Sequence, residues 1–205
     1  VYEVILCLTN YDMEVVRIMS IDVYEQIPVM DSEKFLLREI EDGDAEDLFK
    51  VYSDKDAVPL FNSDNCVNGF CYTSIKEMKH TISFWKREYQ SRYYVRWAII
   101  DKNANCAIGT IELFNRRAKD YFNNCGLLRL DLRSDYEKQD TIEDILGIII
   151  PETRDMFACE MIATKAVSIA KDRIQALEHM GFCLSEEALI GHDGTKYNFY
   201  YVREV

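Results

Sequence analysis

Three strand-forming runs follow one another between residues 93 and 133, and this block constrains the fold more than any other feature. YYVRWAII (93–100), CAIGTIELFN (106–115) and CGLLRLDLR (125–133) are rich in aliphatic, aromatic and β-branched residues, and a polar turn, Asp101 to Asn105, joins the first two. Helical patterns flank them. Before the block, Ile75, Met78, Ile82, Trp85 and Tyr89 recur at spacings of three and four, a core-facing stripe that Thr73 or Ser74 would cap. After it, Thr141 to Phe157 reads as a helix with Ile142, Ile145, Leu146, Ile149 and Ile150 turned inward. Pro151 lacks an N–H donor and is expected to kink or restart that helix.

The rest of the chain completes the pattern. FLLREI (35–40) reads as a strand, followed by Asp44 as an N-cap and a helix with Ala45, Leu48, Phe49 and Tyr52 on one face. Residues 54–72, with Pro, Gly and several Asn and Asp, form a long loop of the kind that often carries function. MIATKAV (161–167) is a strand, and Ala170 to Met180 a short helix ended by Gly181. FCLSEEALI (182–190) and KYNFYYVRE (196–204) are read as two closing strands around a Gly-His-Asp-Gly turn. Residues 1–31 are set apart as an N-terminal extension, expected to form a β-hairpin from runs 3–8 and 14–20; residues 32–205 form the main domain. Strands in a continuous block, with helices before and after, predict a mixed α/β (α+β) fold with a largely antiparallel sheet flanked by helices.

Charge narrows the partners. The net charge of −12 repels nucleic-acid backbones and anionic lipid surfaces, so neither is expected as a partner, and it biases the expected acceptor toward amines. No apolar run approaches the length of a membrane helix, and the first residues lack the basic start of a signal peptide. Seven cysteines, an odd number without any C-x-x-C pair, read as reduced, partly buried thiols of a cytoplasmic protein. His80, His179 and His192 lack metal-ligand spacing, so no metal is expected.

KFLLREIEDGDAEDLFKVYSD, WAIIDKNANCAIGTIELFN and DRIQALEHMGF, in that order and spacing over residues 34–204, resemble the GNAT N-acetyltransferases, nearest to the RimJ/RimL-like subgroup. The resemblance implies a sheet whose central strands splay apart, with acetyl-CoA as co-substrate in the gap. It implies transfer of an acetyl group to a primary amine, on a small molecule or a peptide N-terminus. Leu130 and Leu132 would then offer the strand edge to the pantetheine. The loop around Lys138, Gln139, Asp140 and Thr141 would hold the diphosphate, with Arg133, Lys138 and Arg173 as its cations.

The family's phosphate loop, [Q/R]-x-x-G-x-[G/A], falls on Glu137 to Ile142 when aligned on Asp135-Tyr136, and each defining position differs: Glu137, Asp140 and Ile142 replace the amide or cation and the two small residues. Glycines there let the backbone approach an anion. Here five acids, Asp135, Glu137, Asp140, Glu143 and Asp144, surround one Lys138, and Thr141 with Asp144 has the spacing of a capping box. A helix start capped by its own carboxylates is expected to have little left for a diphosphate. The family's Asn and Ser on the C-terminal helix fall on Ala170 and Arg173; Arg173 either meets a phosphate of CoA or faces solvent.

Strand alternation offers two carboxylates for the base. Leu127, Arg129 and Asp131 share one face of their strand, and Thr110 and Glu112 share one face of theirs. If the strands pair, Glu112, Arg129 and Asp131 cluster, with Glu112 or Asp131 as general base or with Glu112 and Arg129 as a cross-strand ion pair. Tyr93, Tyr94 and Tyr197 qualify as acids by residue type. Two other readings stay open: a non-catalytic binding module on the same fold, and an assembly protein forming a homodimer through residues 1–31.

Overall fold

The computed structural model describes residues 22–66 and 69–205. The hairpin expected within residues 1–20, and Cys7 with it, lie outside the described residues. Strand β1 (Met30–Asp31) pairs antiparallel with β2 (Phe35–Glu39), setting Met30 opposite Leu37. Val23 is buried in the core just ahead of β1, and Pro28 accepts a 2.9 Å hydrogen bond from the Trp97 indole. A 3-10 turn leads into helix α1 (Ala45–Tyr52). Asp44, expected as its cap, instead accepts the Glu41 N–H at 2.8 Å and a two-point bond from Arg38.

Helix α2 (Ile75–Gln90) starts at Ser74, whose hydroxyl accepts the Glu77 N–H while Glu77 accepts the Ser74 N–H, both at 3.2 Å. Met78, Ile82 and Trp85 are buried as the stripe predicts, but Ile75, at the first position of the helix, stands 39% exposed. Strands β3 (Val95–Asp101), β4 (Cys106–Arg116) and β5 (Cys125–Leu132) form the expected antiparallel meander. Gly109 is indispensable in it: a Cβ there would lie 2.2 Å from the Asp131 carbonyl oxygen.

Helix α3 (Gln139–Phe157) runs through Pro151 as one helix rather than restarting. Strand β6 (Met161–Lys165) and helix α4 (Lys171–His179) follow, and Gly181 leaves α4 with φ +83°. The two long closing strands are not formed. Short pieces take their place: β7 (Cys183–Leu184), β8 (Leu189–Ile190), β9 (Lys196–Tyr197) and β10 (Tyr200–Glu204), with β8 and β9 a separate small hairpin. Ser185-Glu186-Glu187 interrupts the first run, and Phe199, at φ +69°, the second.

The main sheet has the order β1-β2-β3-β4-β5-β6-β10-β7. One face carries α1 and α2 over Ala98, Ile100 and Ala107; the other packs α3 and α4 over Leu128, Leu130 and Leu132. β5 and β6 run parallel and pair only from Cys125↔Met161 to Leu128↔Thr164. Beyond Leu128 the two strands part, and Arg129 to Leu132 have no partner in β6. This is the splay the sequence resemblance implies.

Candidate active site

Under α1 the sheet buries a charged cluster. Strand register sets Arg96 opposite Glu112, Glu112 opposite Arg129, and Thr110 opposite Asp131. Arg96 is 5% exposed, Glu112 0% and Asp131 1%. Arg96 donates Nη2 to Glu112 Oε2 at 2.5 Å, and Nη1 to Thr110 at 2.9 Å, to the Tyr52 hydroxyl at 3.0 Å and to Asp131 at 3.3 Å. The Tyr52 hydroxyl donates to Asp131 at 2.8 Å. The Trp85 ring stacks against the Arg96 guanidinium at 4.4 Å, a cation–π contact. Burial raises the Asp131 carboxyl above its ordinary value, opposed by Arg96, and pushes the Tyr52 phenol well above its own. Burial acts against the Arg96 charge, but Glu112, Tyr52 and Asp131 together hold it firmly protonated.

Glu112 differs from Asp131 in where it faces. Its Oε1 has no hydrogen-bond partner and lies 3.4 Å from Arg129 Nη1, near enough to attract but unaligned. Glu112 and Arg129 form the shared floor of two adjoining cavities. One, of about 790 Å³, opens toward the strand ends and the 117–120 loop; the other, of about 550 Å³, lies beneath α2, Asn65, Cys66, Phe70 and Tyr72. Tyr94 and Asn65 also line both. Asp131 lines neither, being enclosed by Tyr52, Thr110 and Arg96. Of the candidate acids, Tyr94 faces both cavities and burial raises its phenol; Tyr93 is 64% exposed on the rim of the larger one; Tyr197 accepts the Asn65 N–H at 3.2 Å.

On the other side of the sheet lies the splay. Leu130 and Leu132 sit beyond the last β5–β6 pair, as the strand-edge reading requires. Arg173, with its side chain 2% exposed, reaches from α4 into this gap, so its solvent-facing alternative does not hold. It donates Nη1 to the Leu130 carbonyl at 2.8 Å and to the Leu60 carbonyl at 3.3 Å, and closes a two-point ion pair on Glu137, 2.7 Å at each contact. Ala170 is buried just before α4.

The start of α3 departs from expectation. No capping box joins Thr141 and Asp144, because the helix begins earlier, at Gln139, with Lys138 as an uncapped N-cap residue. Most of the surrounding acids are turned aside: Asp135 to Arg133 at 2.6 Å, Glu137 to Arg173, Glu143 to Gln139 at 2.7 Å and His179 at 2.9 Å, and Asp144 to Lys34 at 3.7 Å. Only Asp140 bends back on the helix, accepting the Thr141 N–H at 2.8 Å. Lys138 is exposed and, among the described residues, has no ion-pair partner. Asp140 thus offsets part of the helix end's positive charge, and Lys138 adds one free cation beside it.

Sequence reasoning missed Arg96 and Tyr52, which tie the cluster together, and the Lys165–Asp64–Tyr200 clasp (2.6 and 3.0 Å) that anchors the 61–66 segment to β6 and β10. A lone cation inside the apolar run YYVRWAII was the available signal for Arg96. Tyr52 looks like any core aromatic. Burial pushes the Cys125 thiol up to about 12, an inert packing group.

Comparison with known proteins matches residues 34–182 to the model of the acetyltransferase (GNAT) domain. No curated protein sequence matches the chain. Among solved structures, RimL, a ribosomal-protein acetyltransferase in complex with coenzyme A, superposes with a TM-score of 0.65 at 13% identity, covering 87% of this chain and 98% of that one. A ribosomal-protein-S5-alanine acetyltransferase from Vibrio fischeri gives 0.64 at 14% identity, over 86% and 96%. A GNAT-family acetyltransferase from Bacillus anthracis gives 0.62 at 12% identity, over 86% and 98%. At such identities these likenesses establish the shared fold.

Proposed function

The chain belongs to the GNAT acetyltransferase family, and on that premise we propose that it transfers an acetyl group from acetyl-CoA to a primary amine held over Glu112. The observation that carries this reading is the pairing of two features across one strand. β5 leaves β6 after Leu128, so that Leu130 and Leu132 form an edge β6 does not pair, with Arg173 on the Leu130 carbonyl, and the opposite face at Arg129 floors the cavities that Glu112 shares.

The residues present fit acetyl-CoA. Leu130 and Leu132 would pair with the pantetheine through their backbone once Arg173 releases the Leu130 carbonyl, and the start of α3 at Gln139, Asp140 and Thr141 would face the diphosphate once Asp140 releases the Thr141 N–H. Lys138 is the free cation there, and Arg173 joins it by exchanging Glu137 for a phosphate. Arg133, held by Asp135, lies farther from this role. Bound there, acetyl-CoA supplies an activated acetyl thioester whose C–S bond is exchanged for an amide.

Glu112 is the base in this reading. Its Oε1 has no hydrogen-bond partner but is covered within the cavity floor, so an ammonium group docked above it gives up its proton to that oxygen once the cover shifts. Arg96 and Arg129 fix the carboxylate's direction, and Tyr94 stands in reach of both cavities to return a proton. Asp131 serves by holding Tyr52 and Arg96 in place.

The experiment is release of free thiol from acetyl-CoA on adding a panel of primary amines and peptides. Amine-dependent release supports the reading. Binding of acetyl-CoA without release by any amine would contradict it; absence of acetyl-CoA binding would favour the non-catalytic module that has lost diphosphate binding, for which the closed Arg173–Glu137 pair is the supporting observation.

A further inference from the structure

Resting on the acetyltransfer reading, we infer that the acceptor is a peptide N-terminus whose first side chain is aromatic or large and apolar and whose next residues are acidic. The two cavities meeting at Glu112 differ in kind. The smaller is lined by Phe70, Tyr72, Phe84, Trp85 and Tyr94, a surface suited to a ring or a long aliphatic chain. The larger is basic despite the chain's charge of −12: five Arg and Lys side chains line it against three carboxylates.

Within that larger cavity, Arg116 is spent on Asp120, Arg92 on Asp22, and Arg129 on Glu112. Arg117 and Lys119 stand exposed at its rim and, among the described residues, have no ion-pair partner; Glu88, half-buried, is the one carboxylate there likewise without one. An ammonium at the junction of the two cavities, above Glu112, has the aromatic cavity on one side and these free cations on the other. A peptide N-terminus satisfies all three: the α-amine at the junction, the first side chain beneath α2, and the following acidic residues running out over Arg117 and Lys119. A small free amine would leave the rim unused. The local excess of cations replaces the cationic preference that net charge alone suggests.

Two readouts test this with peptides of the form Phe-Asp-Glu, Ser-Asp-Glu and Phe-Lys-Lys at the N-terminus. Thiol release gives kcat/KM for each, and fluorescence anisotropy gives peptide binding without acetyl-CoA. Phe-Asp-Glu is expected to lead in both. The double variant Arg117→Glu with Lys119→Glu, both on the surface, is expected to weaken the acidic peptides about tenfold while keeping Phe over Ser, an effect the size of rim-charge changes. Ranked binding without turnover keeps the peptide preference as a property of the site and removes the catalytic reading, and with it the acceptor role. Equal binding and turnover of acidic and basic peptides, an unmoved ranking in the double variant, or a preference for a small free amine would overturn it.

Discussion

Arg173 of α4 holds Glu137 in a two-point ion pair, 2.7 Å at each contact, inside the gap where β5 and β6 part. Its guanidinium also occupies the Leu130 carbonyl. In the proposed reading, binding of acetyl-CoA and closure of this pair are competing states of one arginine.

Replacing Glu137 by Gln therefore changes two quantities in opposite directions. The free protein loses stability, because a buried guanidinium is left without its counter-charge, a cost of about 3–5 kcal/mol for pairs of this kind. Acetyl-CoA binding tightens, because Arg173 no longer leaves a carboxylate to meet a phosphate. Thermal melts with and without acetyl-CoA read both: a lower Tm alone, and a larger ligand-induced rise than in the unaltered protein.

Glu112→Gln and Asp131→Asn separate the base from the scaffold. Loss of a general base lowers kcat by about 10²–10⁴-fold, so that fall is expected for Glu112→Gln with the acetyl-CoA Kd unchanged. Asp131→Asn keeps a hydrogen-bond partner for Tyr52, and its kcat is expected to stay within about tenfold, below the general-base range. Steady-state kinetics on both variants decides the assignment.

Asp120 gives a pH prediction. The two-point bond from Arg116, helped by the Ile190 N–H and Phe122 N–H, holds its carboxyl below the ordinary 3.8. A depressed carboxylate stabilises the fold fully above its unfolded pKa and loses that contribution as pH falls through the folded value. Acid is thus expected to loosen the 117–120 loop and β8 below about pH 4, where Asp groups protonate. Asp120→Asn should be less stable at pH 7 and show a shallower loss of Tm between pH 5 and pH 2, ordinary acid-titration limits for carboxylates.

Gly109→Ala tests the strand geometry behind the site. The added carbon would meet the Asp131 carbonyl oxygen at 2.2 Å and Leu132 Cδ2 at 2.9 Å, so β4 and β5 must move apart. Overpacking of this kind costs about 1–3 kcal/mol or more, and it disturbs the Thr110–Asp131 pair. A lowered urea midpoint is expected, with kcat reduced along with it.

Much of this architecture is legible in the residues. Alternation in GTIELF and LLRLDL placed Glu112, Arg129 and Asp131 on one face, and the strand register brought them together. Ile142, Ile145, Ile149 and Ile150 of α3 are buried as their spacing requires. Long-range choices were not legible. Whether Glu137 crowds the helix start or pairs with Arg173 depends on where α4 packs, which no local pattern encodes. Likewise, Thr141 and Asp144 had the spacing of a capping box, yet the helix began at Gln139 and carried both inside its first turns. The polar Ser185-Glu186-Glu187 and the positive φ of Phe199 broke strands that apolar content alone favoured.

Calorimetric titration of the protein with acetyl-CoA tests the central claim most directly. The account predicts saturable one-to-one binding within the micromolar-to-millimolar range usual for enzyme substrates, tightened in Glu137→Gln. Absence of heat up to about 1 mM ligand, the upper end of that range, with Glu137→Gln equally silent, would contradict it.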